Sequence, residues 1–406
     1  MQSPDRTRWL RLFLLIAGGI AAALHIGKVP PAMALLRRDL GIDLVTAGWV
    51  LSLVATIGAV AGAVIGAGAD RIGHRRGLLL GLGLLTAGSL TGGTAHGVAT
   101  LLASRAVEGA GSILVAVSVP ALIWRSVAAR DARLAFGLWG TWMPLGVSIM
   151  MAVSPAILAG FGWPAVWWAA AALSALAWLA LALETRGMAA ASRGAAAAPS
   201  LVPKASVPAA LRTVGRVPAL WLLTGCFFLY SLCFMTVLGF LPLFFLEERG
   251  IDPATGALLV AVVVLFNALG NVGAGWLATG GIPRWVLAAV AFVAMGLCGV
   301  GIFSGGLPMA VSYTLCLLYS ALGGLLPATV MSAAAQVAPR PDLVSSASGI
   351  VVQGSYLGQL AGAPIVGLLA GSLGWWAVAL FILLVCAAGL ALSLGLRTED
   401  RLPARA

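Results

Sequence analysis

Apolar runs of about 20 residues recur from one end of this chain to the other, each long enough to cross a hydrocarbon layer about 30 Å thick as an α-helix. That repetition excludes most soluble folds. With charged residues at 9% and hydrophobic residues at 61% of 406 positions, the chain has too little charge to cover a water-facing surface of its size. The runs predict spans over residues 10–34, 45–68, 77–95, 99–123, 135–158, 164–183, 219–246, 255–279, 285–304, 309–333, 344–371 and 375–396. Few segments alternate apolar and polar residues as the strands of a membrane barrel do. The expectation is an all-α membrane protein with 12 transmembrane helices.

The formal net charge of +11 suggests nucleic-acid binding until the basic residues are sorted by loop. With residue 1 on the cytoplasmic side, nineteen Lys and Arg fall in cytoplasmic segments and three, Arg37, Arg38 and Arg249, in outer loops. Lys28 and Arg105 lie within spans. This asymmetry is the positive-inside signature and implies an even number of spans with both termini cytoplasmic. The expected location is a bacterial-type inner membrane, with the bilayer as partner and no nucleic acid. Arg6, Arg8 and Arg11 followed by an apolar run and Ala21-Ala22-Ala23 mimic a secretion signal. The apolar stretch continues past the small residues, so an uncleaved first helix is expected. Five cysteines, all in apolar runs, read as core residues rather than a disulfide framework or a metal site.

The longest polar interruption, rich in Ala, Pro, Ser and Arg, separates six spans from six. It divides the chain into an N-terminal half over 1–184, a cytoplasmic linker over 185–217 with room for a short surface helix, and a C-terminal half over 218–406. Gly41-Ile42-Asp43 returns 209 positions later as Gly250-Ile251-Asp252, and Gly66, Arg75 and Pro155 match Gly275, Arg284 and Pro364 at that offset. A duplicated six-helix unit places a solute site between the repeats, near mid-membrane.

Between spans 2 and 3 stands Gly66-Ala67-Gly68-Ala69-Asp70-Arg71-Ile72-Gly73-His74-Arg75-Arg76. It resembles the loop signature of the major facilitator superfamily, Gly-x-x-x-Asp-Arg-x-Gly-x-Arg-Arg. Leu102 to Gly111 is similar to the superfamily's span-4 pattern Arg-x-x-Gln-Gly-x-Gly, with Arg105 in place and Glu108 where Gln is usual. The resemblance implies two pseudo-symmetric six-helix bundles, and a cytoplasmic gate at Gly66, Asp70, Arg71, Gly73 and Arg75. It also implies that Arg105 lies in the cavity with a role in proton coupling or anion binding. A cationic span 1 followed by Pro30-Pro31 resembles the cyanate/nitroimidazole permease branch. The span-5 pattern of drug/proton antiporters, Gly-x-x-x-Gly-Pro-x-x-Gly, is broken here by Met150 and Ser154.

Ionisable groups within spans are costly and mark function unless paired. His25 and Lys28 on span 1, and Arg105 and Glu108 on span 4, are each spaced i, i+3 and so share a face. If those faces point inward, the pocket favours an anion. Each residue also has a structural reading: Lys28 as a snorkelling interfacial residue, Arg105–Glu108 as an intrahelical pair, His25 as a neutral core residue. At the 209 offset the second half carries Val237, Thr314 and Leu317 for Lys28, Arg105 and Glu108. It offers neutral groups instead, among them Tyr230, Asn267, Asn271, Tyr313 and Tyr356.

No Gly-x-x-x-x-Gly-Lys-[Ser/Thr] loop, His-Glu-x-x-His or Gly-x-Ser-x-Gly occurs. The expectation is therefore a monomeric secondary-active transporter, not an enzyme, and without a cofactor. It would move a small anionic organic solute by alternating access, with His25, Lys28, Arg105, Tyr313 and Tyr356 binding it and Glu108 and His25 carrying protons. The alternative is a proton-driven exporter of hydrophobic or drug-like compounds.

Overall fold

The computed structural model describes residues 6–62, 73–128, 131, 135, 138–186, 207–340 and 343–399. Those residues are helical almost throughout, and ten helical segments are long and apolar enough to cross a membrane. The chain is a multi-pass membrane protein.

The first apolar run forms α1 (Trp9–Gly27) and α2 (Val29–Leu40). Pro30 and Pro31 have no N–H to donate to the carbonyls four residues back, so the helix breaks at Lys28. α3 (Leu44–Ser52) follows and tightens into a 3₁₀ turn at Leu53–Ala55. Next come α4 (His74–Gly93) and α5 (Val98–Trp124). His74, expected in a loop, opens α4 and is buried. α4 falls outside the ten apolar segments because glycine replaces larger apolar residues along it. The glycines permit close approach: an added methyl on Gly81 would stand 2.8 Å from the Gly111 carbonyl oxygen of α5.

α6 (Trp142–Glu184) is 43 residues of helix interrupted at Gly162, whose φ of 73° and ψ of −179° suit glycine alone. The chain reverses there. Residues before Gly162 run alongside α1, with Val147 against Gly27, and residues after it return, with Ser174 bonded to His25 and Glu184 to Arg11. Residues 142–158 of the expected span 135–158, and the whole of the expected span 164–183, are the two arms of this element.

α7 (Val207–Val214) is a short helix within the long polar interruption. Then come α8 (Pro218–Arg249), α9 (Pro253–Thr279), α10 (Arg284–Phe303), α11 (Met309–Gly323), α12 (Leu325–Gln336), α13 (Val344–Leu373) and α14 (Trp375–Glu399).

The repeated Gly-Ile-Asp does the same work twice. Gly41 and Gly250 end α2 and α8 with φ of 64° and 63°. Asp43 then accepts from the Thr46 N–H at 2.7 Å, and Asp252 from the Ala254 and Thr255 N–H groups at 3.1 and 3.0 Å, capping α3 and α9.

The two halves of the chain meet along α3 and α13 and along α6 and α9. A methyl on Gly48 would collide with the Ala363 backbone, and one on Gly367 with that of Leu44. Ser148 donates to the Ala261 carbonyl at 2.9 Å, and Gln353 to that of Ala59 at 2.8 Å. Arg37 on α2 pairs with Glu247 on α8 at 3.1 Å.

Candidate functional site

The four ionisable side chains singled out within spans come together. His25, Lys28, Arg105 and Glu108 are all fully buried and converge on one carboxylate. The break at Lys28 carries its side chain off the end of α1, and Nζ donates to Glu108 Oε1 at 2.5 Å. It also donates to Ser89 Oγ on α4 at 2.8 Å, stands 3.3 Å from His25 Nδ1, and lies 4.6 Å from the centre of the Trp167 ring. Ser89 in turn donates to the Trp167 carbonyl at 2.7 Å.

Arg105 closes the other side. Its Nη1 donates to Glu108 Oε2, one turn along α5, and to the His25 carbonyl at 2.8 Å. Its Nε donates to the Val50 carbonyl at 2.8 Å. The 3₁₀ turn just beyond Val50 explains the opening, since 3₁₀ N–H groups bond three residues back and release a carbonyl to an outside donor. His25 Nε2 meets Ser174 Oγ at 2.8 Å, and Nδ1 stands 3.4 Å from Glu108 Oε1.

Glycine makes the space. A methyl on Gly88 would fall 2.8 Å from Glu108 Cγ, and one on Gly109 would fall 2.8 Å from the Val54 carbonyl carbon. Ser89, Ser174, Trp167 and Gly88 escaped the sequence reading. Their one signal is a small or polar residue inside an apolar run, which many other positions share.

Two cations therefore face one carboxylate. Arg105 Nη2 and Trp167 Nε1 are buried without a hydrogen-bond partner. Lys28 does not snorkel, and Arg105 and Glu108 do form the intrahelical pair. That pair is embedded in a larger network, so its chemistry exceeds that of two residues. Protonating Glu108 would leave Lys28 and Arg105 uncompensated in a medium of low dielectric, where isolated charge is most costly.

Tyr313 and Tyr356 lie apart from this cluster. Tyr313 donates to the Leu259 carbonyl at 3.1 Å, and the Tyr356 ring packs on Gly58 in helical residues 56–62. In the second half Asn267 donates to Tyr230 Oη at 3.0 Å and to the Ser320 carbonyl at 3.1 Å, and Asn271 donates to Asn267 Oδ1 at 3.0 Å. These bonds hold α9 to α8 and α11.

Of the loop signature, Gly66, Asp70 and Arg71 lie outside the described residues. Gly73 precedes α4 with φ of 84°. Arg75 donates to Thr185 Oγ1 at 2.9 Å and to the Ala182 carbonyl at 3.3 Å, tying α4 to the end of α6. Arg11 makes a matching tie from α1 to Glu184 at 3.1 Å.

Residues 14–351 match the family model for the Major Facilitator Superfamily. Over 158 residues, 39% of this chain and 27% of the relative, the sequence is 30% identical to the uncharacterized MFS-type transporter Rv1250 of Mycobacterium tuberculosis. It is 21% identical to the riboflavin transporter RibZ of Clostridioides difficile over 40% of this chain and 35% of that one. It is 32% identical to the puromycin resistance protein pur8 of Streptomyces alboniger over 34% and 28% of the two chains. The matched segment spans about a third or less of each relative's length.

Proposed function

The chain belongs to the major facilitator superfamily, and from that premise we propose that it is a proton-coupled secondary transporter of a small anionic organic solute. It is a transporter, not an enzyme. The finer reading counts the two arms of α6 as separate passes and adds α4, which makes twelve spans in two six-helix halves. The positive-inside asymmetry supports a cytoplasmic position for residues 6–8 and the 185–217 linker, in a bacterial-type inner membrane, and the proposed transporter acts as a monomer. The halves rock about a central site.

One observation carries the solute and the coupling: Glu108 shares its two oxygens between Lys28 and Arg105, and Arg105 keeps a buried nitrogen without a partner. A proton on Glu108 removes the charge that balances the two cations. An anion restores it. Proton and anion therefore each favour the binding of the other, by the same factor in both directions.

The test is uptake of labelled small carboxylates and inorganic anions by proteoliposomes under an imposed pH gradient. Glu108→Gln should abolish acceleration by the gradient while leaving counterflow exchange, and Arg105→Gln should abolish both. Gradient-driven uptake that survives Glu108→Gln would sink the reading.

A second reading is supported by the resemblance to a puromycin resistance protein and by the stacked rings of Phe227, Tyr230 and Phe234 on α8, with centroids 6.2 and 5.4 Å apart. Such rings, packed into the core, would suit an uncharged aromatic compound, exported rather than imported. A drug-susceptibility profile with and without the gene separates the two readings.

A further inference from the structure

A cleft of about 440 Å³ opens at the far end of the N-terminal half from Arg11 and Glu184, lined by Asp39, Thr94, His96, Trp163 and Trp168 among others. It lies where α2 and α4 end and α6 reverses, which is the outer membrane interface in the proposed topology. Its floor is one helical turn from the buried cluster. Gly93 in the cleft follows Ser89 in the cluster by four residues, about 6 Å along α4. Trp163 in the cleft meets Trp167 edge-on at 5.4 Å, and Trp167 in turn has Lys28 Nζ over its ring.

Trp167 thus stands between the cleft and the Lys28–Glu108 pair. It rests on bare backbone, since a methyl on Gly92 would fall 2.6 Å from its Cδ1, and its Nε1 has no partner in a fully buried position. A buried indole N–H without an acceptor is uncommon, and it would donate to a water that reached it.

We infer that this cleft is an aqueous antechamber through which protons reach Glu108 from outside, gated by Trp167 and separate from the solute's path between the halves. Hydronium in the cleft gives up one proton and becomes water, and Glu108 Oε1 gains it as a new O–H bond while Lys28 keeps its charge. The groups facing Glu108 are Lys28 and His25 from α1 and Arg105 from α5. Those at the mouth are His96 and Asp39, the latter bonded to Arg38 at 2.8 Å. The inference rests on the proton-coupled reading above.

The test follows Glu108 protonation itself, with the proton as probe. Protein reconstituted in one orientation receives an outside acid pulse, and the infrared band of a protonated carboxyl is assigned by its loss in Glu108→Gln. Thr94→Cys modified with a bulky charged thiol reagent should slow the appearance of that band at least tenfold, with its final amplitude unchanged. Gly92→Val, which displaces Trp167, should change the rate without changing the amplitude. Unmodified Thr94→Cys should behave as the wild type. Unchanged rates in both the modified protein and Gly92→Val overturn the antechamber while leaving proton coupling intact. A band that never appears in the wild type overturns the coupling, and the antechamber with it.

Discussion

Lys28 Nζ lies 2.5 Å from Glu108 Oε1, joining the end of α1 to the middle of α5 in a position closed to solvent. A buried pair of this kind contributes little net stability, because desolvating both charges offsets their attraction, but breaking it strands a charge. Glu108→Gln leaves Lys28 and Arg105 without a counter-charge and should destabilise the protein by about 3–5 kcal/mol. Lys28→Met with Glu108→Gln should recover part of that loss, because Arg105 alone then lacks a counter-charge, while Lys28→Met by itself leaves Glu108 paired with Arg105 and should cost less. Thermal unfolding in detergent of the two single variants and the double variant measures the coupling, and additive losses would contradict it.

Close glycine packing makes a graded prediction. Gly109→Val forces a side chain into the Val54 backbone and should cost about 1–3 kcal/mol, as overpacking does. Gly83, on the same α4 as Gly88, has no neighbour within 4 Å of an added methyl. Gly83→Ala should therefore be neutral or stabilise by about 0.5–1 kcal/mol through helix propensity. Equal losses at both positions would show that the helices do not pack as described.

The reversal in α6 depends on Gly162. Its φ and ψ lie in a region essentially reserved for glycine, so Gly162→Ala should cost about 1–3 kcal/mol. Gly160, two residues earlier and with open space around it, is the control. The midpoint of thermal unfolding should fall for the first and hold for the second.

Asp43 and Asp252 carry the pH dependence that can be read outside the membrane. Hydrogen bonds from Thr46 hold the Asp43 carboxyl below the usual carboxylate range, and bonds from Thr255 do the same for Asp252. A pKa lower in the folded state than in the unfolded one stabilises the fold above the unfolded value, and that contribution is lost as pH falls through the folded value. Asp43→Ala should thus lower the unfolding midpoint at neutral pH. The difference from the wild type should shrink once pH drops below about 4, the ordinary aspartate value.

Arg37 and Glu247 link α2 to α8 across the two halves and are partly exposed, with 31% and 37% of each side chain accessible. An exposed ion pair contributes about 0.2–1 kcal/mol. Glu247→Gln should shift the balance of conformations by no more than about fivefold, read as increased labelling of a cysteine placed between α2 and α8. A shift of a hundredfold would mean that the pair does more than its geometry allows.

The helices, the repeated Gly-Ile-Asp and the two pairs of ionisable residues could all be read from sequence. Each rests on local information. Membrane spans satisfy their own backbone hydrogen bonds, so length and apolarity suffice to find them. The repeated Gly-Ile-Asp specifies one left-handed helix end and one cap wherever it occurs. His25 with Lys28, and Arg105 with Glu108, share a face by helical spacing alone.

What no local signal contains is the rotation of each helix about its axis. Spans apolar on every side carry no stripe that says which face turns inward, so packing decides it, here through Gly88, Gly92 and Gly109. Sequence alone therefore left it open whether Lys28 meets lipid, water or Glu108. Only the tertiary structure brought Ser89, Trp167 and Ser174, far apart along the chain, around a single carboxylate. It did so because a charge withdrawn from water must find its partners wherever the fold can supply them.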